Sequence, residues 1–295
     1  MKFRLTGSVG KGGANHITDV KLIQALLTVY LRDECSKYLS INGKLDVDTQ
    51  SAIDKFQKEK LKLAKYDGRV DPAGNTYRSL LAVLALVLKD NQAVVKPAEG
   101  VVTFDSEGAE GGLFHSRILH VPTDSSGLTL GRGYDMKEKS NSKIILDLTK
   151  AGLDTQTTLL ISKAGGKSGV VAKQFIIDND LLDFQISPLV QKELFMISYN
   201  DESAETKRIC TLDRIEKKYG KCDWDNIDSK IKEVTVDLKF RGDYTEETRK
   251  NVQPHIVKND VKEFTKVMQD KSKWSNVPQD RFDRRVNFLL KKDNK

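Results

Sequence analysis

No stretch of this sequence is apolar for long enough to cross a bilayer. The nearest approach, LLAVLALVLK from Leu80, stops at Lys89 and reads as a buried helix. The opening MKFRLTGSVGKGG lacks the apolar core of a signal peptide. Both absences predict a protein made in the cytoplasm without a classical signal and without stable membrane insertion, so that work outside the cytoplasm needs another delivery route. Cysteine is scarce too. Cys35, Cys210 and Cys222 give neither a CxxC pair nor a zinc spacing, which leaves a Cys210–Cys222 disulfide or three free buried thiols. His115 and His120 lie five apart with no third ligand in reach, so no metal is expected and cleft-lining or structural roles are preferred. The glycine-rich GKGGAN, ending at Asn15, lacks the Lys-Ser/Thr of a phosphate loop and reads as a flexible lead-in. A Ser/His/Asp triad, a nucleophile elbow and a reactive cysteine motif are all missing. No organic cofactor is implied.

What is present is charge. The net +7 and pI of about 9.0 favour anionic partners, whether nucleic acid, anionic lipid or a cell-wall polymer. Lysine and arginine are interspersed with acids rather than gathered into an arm, which argues against nucleic acid. A length of 295 residues suits two domains. The first, residues 1–90, repeats one device: a turn, a polar cap and a helix. A helix DVKLIQALLTVYL is capped by Thr18 or Asp19. Asn42-Gly43 turns into a helix capped by Asp48 or Thr49, and Asp67-Gly68 turns into one opened by Asn75 or Thr76. Residues 91–100, around Pro97, lose periodicity and read as a linker.

Val20, Leu22, Gln24, Leu26, Asn42-Gly43, Asp48-Thr49, Phe56-Gln57, Asp67-Gly68, Thr76 and Leu80 together resemble the small three-helix peptidoglycan-binding domain. That family carries an aspartate where Asn42 stands, and a glycine before the residue matching Thr49.

Residues 101–295 open on FDSEGAEGGLFHSRILHVPTDSSGLTLGRGYDM, from Phe104 to Met136. The run is poor in hydrophobic periodicity and rich in carboxylates, hydroxyls and glycines. Gly127, Gly131 and Gly133 allow tight turns and a close backbone approach. The remainder reads as helices over 141–151, 155–164, 169–179, a long one after Pro188 that is whole or broken near Asn200, 245–257, 259–270 and 280–291. Pro254 is expected to kink or end its helix.

The glutamate-glycine pair followed by SGLTLGRGYDM is similar to the pesticin-like branch of the phage-type lysozymes, whose motif is a glutamate and then [ST]GxTxGxGxD. Phe195, Tyr199, Trp224 and VDLKFRGDYTEETR also look like that branch. The resemblance implies a mainly α (α+β) chain: a three-helix wall-binding domain, then a mostly helical lysozyme-like domain with a short β-hairpin at its cleft. It implies a muramidase cutting between N-acetylmuramic acid and N-acetylglucosamine, as a phage endolysin or a secreted antibacterial toxin acting in the cell wall. Peptidoglycan is the expected partner, with an immunity protein or a secretion-machine component in the toxin case.

Such chemistry needs a carboxylic acid for the leaving oxygen and a carboxylate to direct water or the sugar cation. Glu107 is the expected acid and Glu110, in the second Glu-Gly pair, its rival. Asp135 is the second carboxylate, and Thr129 holds water or substrate. Ser126, Arg117, Arg132 and Tyr134 are expected at the substrate. For the arginines, ion pairs with Glu110 or Asp124 are the alternative; for Tyr134, plain packing.

Overall fold

The structure, a computed structural model, describes residues 3–33, 39–88, 92–111 and 115–291. Cys35, Lys89 and Gly112 lie outside the described residues. The elements in chain order are β1 (Val9–Gly10), α1 (Ile17–Asp33), α2 (Val47–Lys55), β2 (Arg69–Val70), α3 (Asn75–Val87), α4 (Val101–Ser106), β3 (Thr129–Leu130) and β4 (Tyr134–Asp135). There follow α5 (Asn141–Lys150), α6 (Thr155–Ser162), α7 (Gly169–Asp178), α8 (Pro188–Cys210), α9 (Asp213–Tyr219), α10 (Ser229–Arg241), α11 (Glu246–Val257), α12 (Val261–Gln269) and α13 (Gln279–Leu290). The described chain is therefore mainly helical, with two small antiparallel sheets, β1–β2 and β3–β4. It divides into two compact units: Met1–Val94 with Gly108–Gln191, and Val95–Glu107 with Lys192–Lys295.

In the first unit the repeated device is repeated down to its hydrogen bonds. The side-chain amide nitrogen of Gln24 reaches Asn42 Oδ1 at 3.1 Å, the Lys44 carbonyl at 3.0 Å and Thr49 Oγ1 at 3.0 Å, while its Oε1 accepts the Gly43 N–H at 2.9 Å. Gln57 does the same to Asp67 Oδ1 at 2.9 Å, the Arg69 carbonyl at 3.0 Å, Thr76 Oγ1 at 3.0 Å and the Gly68 N–H at 2.9 Å. Gly43 and Gly68 both sit at positive φ, 75° and 65°, where glycine is favoured. A buried glutamine satisfied on both ends fixes each turn against its helix. The glycine-rich lead-in is ordered as well: Val9 pairs with Val70, and Asn15 Oδ1 accepts the Gly10 N–H at 2.8 Å.

Two expected caps have other duties. Asp19 turns its buried carboxylate to Thr6 and Gly7, accepting the Thr6 hydroxyl at 2.7 Å and the Gly7 N–H at 2.8 Å. Asp46, rather than Asp48 or Thr49, caps α2 by accepting the Thr49 N–H at 2.8 Å. Residues 92–100 carry neither helix nor strand. Helix α1 packs against α7 of the same unit, where Lys21 pairs with Asp178 at 2.6 Å and Arg32 with Asp183 at 2.5 Å and with Asp180.

The core of the second unit gathers Phe104, Phe195, Tyr199, Trp224, Phe264 and Trp274, with Met268 inside and Met196 packed at its edge. Cys210 and Cys222 are buried there as free thiols. The long amphipathic run after Pro188, expected whole or broken near Asn200 as far as Gly220, passes Asn200 intact as α8 and breaks instead at Thr211–Leu212, where α9 takes over; α11 continues past Pro254 to Val257. Helices α4 and α10 have no counterpart among the helices that the sequence predicts. They meet at Glu233 of α10, whose carboxylate accepts the Gly100 N–H at 3.1 Å and the Val102 N–H at 2.9 Å, closing the N-terminus of α4. Gly100 lies at φ 77°, and a Cβ there would come within 2.7 Å of the Tyr199 ring.

Substituting Gln57→Ala should cost about 1–3 kcal/mol by orphaning buried groups. It should release the Gly68 N–H to hydrogen exchange while Gly43 stays protected; unchanged protection at Gly68 contradicts the account.

Candidate active site

The glycines of the SGLTLGRGYDM run build a hairpin. Gly131 and Gly133 take positive φ, 62° and 83°, and return the chain so that Thr129 lies opposite Asp135 and Leu130 opposite Tyr134. Side chains alternate across a strand pair, so Leu130 and Tyr134 go into the core, both at 0% exposure, and Thr129 and Asp135 share the other face. The His120 backbone exchanges two hydrogen bonds with Thr129, at 2.9 and 2.8 Å. Thr129 and Asp135 therefore form the closer, non-hydrogen-bonded type of cross-strand pair.

Both side chains converge on Gly127. Asp135 Oδ2 accepts the Gly127 N–H at 3.0 Å, and Oδ1 accepts the Lys137 N–H at 2.8 Å. The Thr129 hydroxyl donates to the Gly127 carbonyl at 3.3 Å, a long bond. A Cβ on residue 127 would lie 2.2 Å from Asp135 Oδ1, so only glycine allows this approach. A carboxylate has about four lone-pair sites, and two are used here. Asp135 is half-buried and keeps acceptor sites to spare, while Thr129 beside it is buried at 4% exposure.

The tip of the hairpin folds back onto the second Glu-Gly pair. Arg132, 4% exposed, donates from Nη1 to the Gly108 carbonyl at 2.9 Å and from Nη2 to Glu110 Oε1 at 3.0 Å. Arg117, 2% exposed, donates from Nε to Glu110 Oε2 at 3.0 Å, and Gln191 adds a bond to Oε1 at 3.0 Å. Burial pushes the Glu110 carboxyl upward, but these bonds from Gln191, Arg117 and Arg132 outweigh it and hold it below its ordinary range. A carboxylate so held is a poor proton donor. His115 Nδ1 lies 3.2 Å from Glu110 Oε2, yet it accepts the Gly111 N–H at 2.8 Å. A nitrogen that accepts carries no proton to give, so this close contact is not a hydrogen bond of the neutral ring. Gly108 is required by crowding: a Cβ there would meet Ser116 Oγ at 2.6 Å.

Glu107 belongs to the second unit, at the C-terminal end of α4, where its N–H donates to the Thr103 carbonyl at 2.9 Å. Its carboxylate accepts from Arg281 Nη1 of α13 at 2.5 Å. Arg281 also binds the buried Asp237, at 2.6 and 3.2 Å, and Arg285 donates to Asp237 from Nε at 2.6 Å. Burial pushes the Asp237 carboxyl up, and the two guanidiniums overcome that and keep it low. Glu107 is thus the rim of a fixed charge network, held from one side and only partly covered.

The alternatives left by the sequence resolve as follows. Arg117 and Arg132 are ion-pair partners of Glu110, while Asp124 pairs with Lys173 at 2.8 Å. Neither arginine is placed to meet a substrate carboxylate without leaving Glu110. Tyr134 packs instead of offering a face to a sugar: its ring is buried and its hydroxyl donates to Asp147 at 2.8 Å. Ser126, half-buried, bonds the Thr123 hydroxyl at 2.7 Å. Among the described residues there is no cluster of three or more His, Cys, Asp or Glu suited to a metal. Arg281, Arg285 and Asp237 were missed; a basic terminal helix was visible in the sequence, but nothing local told which carboxylate it would meet.

The depressed Glu110 carboxyl makes a signed prediction. Its contribution to stability is fully present above its unfolded value, about 4.3 for a glutamate, and is lost as pH falls through the lower folded value. Glu110→Gln should therefore be less stable than wild type by about 3 kcal/mol at neutral pH, because two buried arginines lose their partner. The gap should narrow in acid, as measured by urea unfolding from pH 7 to 3; a gap independent of pH contradicts the assignment.

A comparison with curated proteins found no match. Residues 100–286 match one family along more than half of the chain, a segment that takes in Glu107, the hairpin, Arg281 and Arg285. The protein belongs to the family described as domain of unknown function (DUF8812).

Proposed function

We propose that this protein is a peptidoglycan hydrolase of the muramidase type, cleaving between N-acetylmuramic acid and N-acetylglucosamine. Glu107 protonates the leaving oxygen, and Thr129 with Asp135 holds the water that attacks the sugar carbon. The observation that carries this reading is the apposition of Thr129 and Asp135 on one face of the hairpin, organised by Gly127. Glu107 is preferred to Glu110 because Glu110 serves two buried arginines and a glutamine. The compact N-terminal helices, with their two matching glutamine-locked turns, support a wall-binding role, and the net charge of +7 suits an anionic envelope. The reading places the protein at the cell wall, as an endolysin or a secreted antibacterial effector, with an immunity protein or secretion-machine component as partner in the latter case.

One alternative has an observation in its favour. Glu107 and Asp135 both carry structural hydrogen bonds, as they would in a wall-binding protein whose lysozyme-like half is inactive. Reducing-end release from purified sacculi separates the two. The muramidase reading expects wild type to cut and Glu107→Gln to lose about 10²–10⁴-fold. Residues acting as one unit are non-additive, so Glu107→Gln with Asp135→Asn should be no worse than the poorer single variant. No release by wild type ends the enzymatic reading, and normal cutting by Glu107→Gln removes Glu107 as the acid.

A further inference from the structure

The hairpin face has a third member that this mechanism leaves unused. His120 pairs with Thr129 through both backbone groups, so its side chain stands on the same face, in one cross-strand row with Thr129 and Asp135. Its ring Nδ1 lies 2.9 Å from the Ile118 carbonyl. A carbonyl can only accept, so Nδ1 carries the proton and the lone pair of the neutral ring is on Nε2. Burial keeps the ring below its ordinary value, against the opposing pull of the Ile118 carbonyl and the charge of Asp135, which favours the neutral form at neutral pH.

Asp135, in contrast, is committed to the turn. Each of its oxygens already accepts a backbone N–H, from Gly127 and from Lys137, and a proton on either would be set against a donor aimed at the same atom. Asp135 can accept a hydrogen bond from a water without disturbing those two. The division of labour is therefore geometric: one group holds the water and another takes its proton.

We infer that His120 Nε2 is the general base of the reaction, taking a proton from a water held by Thr129 and Asp135. The inference rests on the muramidase reading and deepens it. In the step, a water O–H bond breaks and its proton bonds to Nε2, while the water oxygen bonds to the anomeric carbon. The glycosidic C–O bond breaks with its electron pair passing to the leaving oxygen, which takes the proton of the Glu107 carboxyl. No oxidant, metal or further reactant is needed, and attack by water inverts the anomeric centre.

The test uses the full chain and soluble glycan strands. His120→Asn retains an N–H for the Ile118 carbonyl and lacks the Nε2 lone pair; it should lose about 10²-fold or more in kcat with KM changed by less than about threefold. Azide, an anionic nucleophile that needs no base, should restore turnover in this variant and give a glycosyl azide of inverted configuration by NMR. His120→Gln provides the same comparison should the asparagine variant unfold. Asp135→Asn gives an independent arm: azide rescue there, and not in the His120 variants, makes Asp135 the base and overturns the inference. A His120→Asn enzyme within about threefold of wild-type kcat overturns it as well. If wild type cuts no glycan, the muramidase reading falls together with this one; if wild type cuts and only the His120 results fail, this inference falls alone.

Discussion

Position 127 has no room for a side chain. A single methyl group there would stand 2.2 Å from the Asp135 carboxylate, and with it would go the two bonds that the Gly127 peptide makes to Asp135 and Thr129. That peptide is the hub of the face on which three polar side chains stand in a row. Behind them Leu130 and Tyr134 are sealed in the core, so the hairpin cannot slip by one residue without forcing the half-buried Asp135 carboxylate inward and an aromatic ring outward. The polar face is thus specified by packing on its opposite side.

The two Glu-Gly pairs look alike in sequence and are treated oppositely by the fold. Glu110 satisfies two buried arginines, a role in which loss of its charge would leave both uncompensated. Glu107 has one arginine, and that arginine is already anchored to the buried Asp237. Arg281 is positioned by Asp237 independently of Glu107, whereas Arg117 and Arg132 share Glu110 as their carboxylate.

Local signals were legible in the sequence, and long-range ones were not. The Asn42-Gly43 and Asp67-Gly68 turns, the hairpin and most helices of the second half rest on glycine placement and period, which are readable within a dozen residues. The apposition of Thr129 and Asp135 follows from their spacing about a glycine turn. Helix α4 escaped notice because its N-terminus is closed by Glu233, which lies 133 residues from Gly100. Helix α10 did so because buried Glu233 and Asp237 interrupt its apolar pattern with acids that serve partners elsewhere. The partners that set Glu107 and Glu110 apart are as distant: Arg281 lies 174 residues from Glu107, and Gln191 lies 81 from Glu110. Asp19 shows the same limit at short range: a plausible cap by position, it is spent on Thr6 and Gly7 instead.

The central claim is that this hairpin face delivers a water to a sugar carbon. Digesting purified sacculi in oxygen-18 water, and weighing the released muropeptides, tests it most directly. The account predicts reducing N-acetylmuramic acid ends that each carry one oxygen-18 from solvent. Anhydro ends without label, or sacculi left intact, would contradict it.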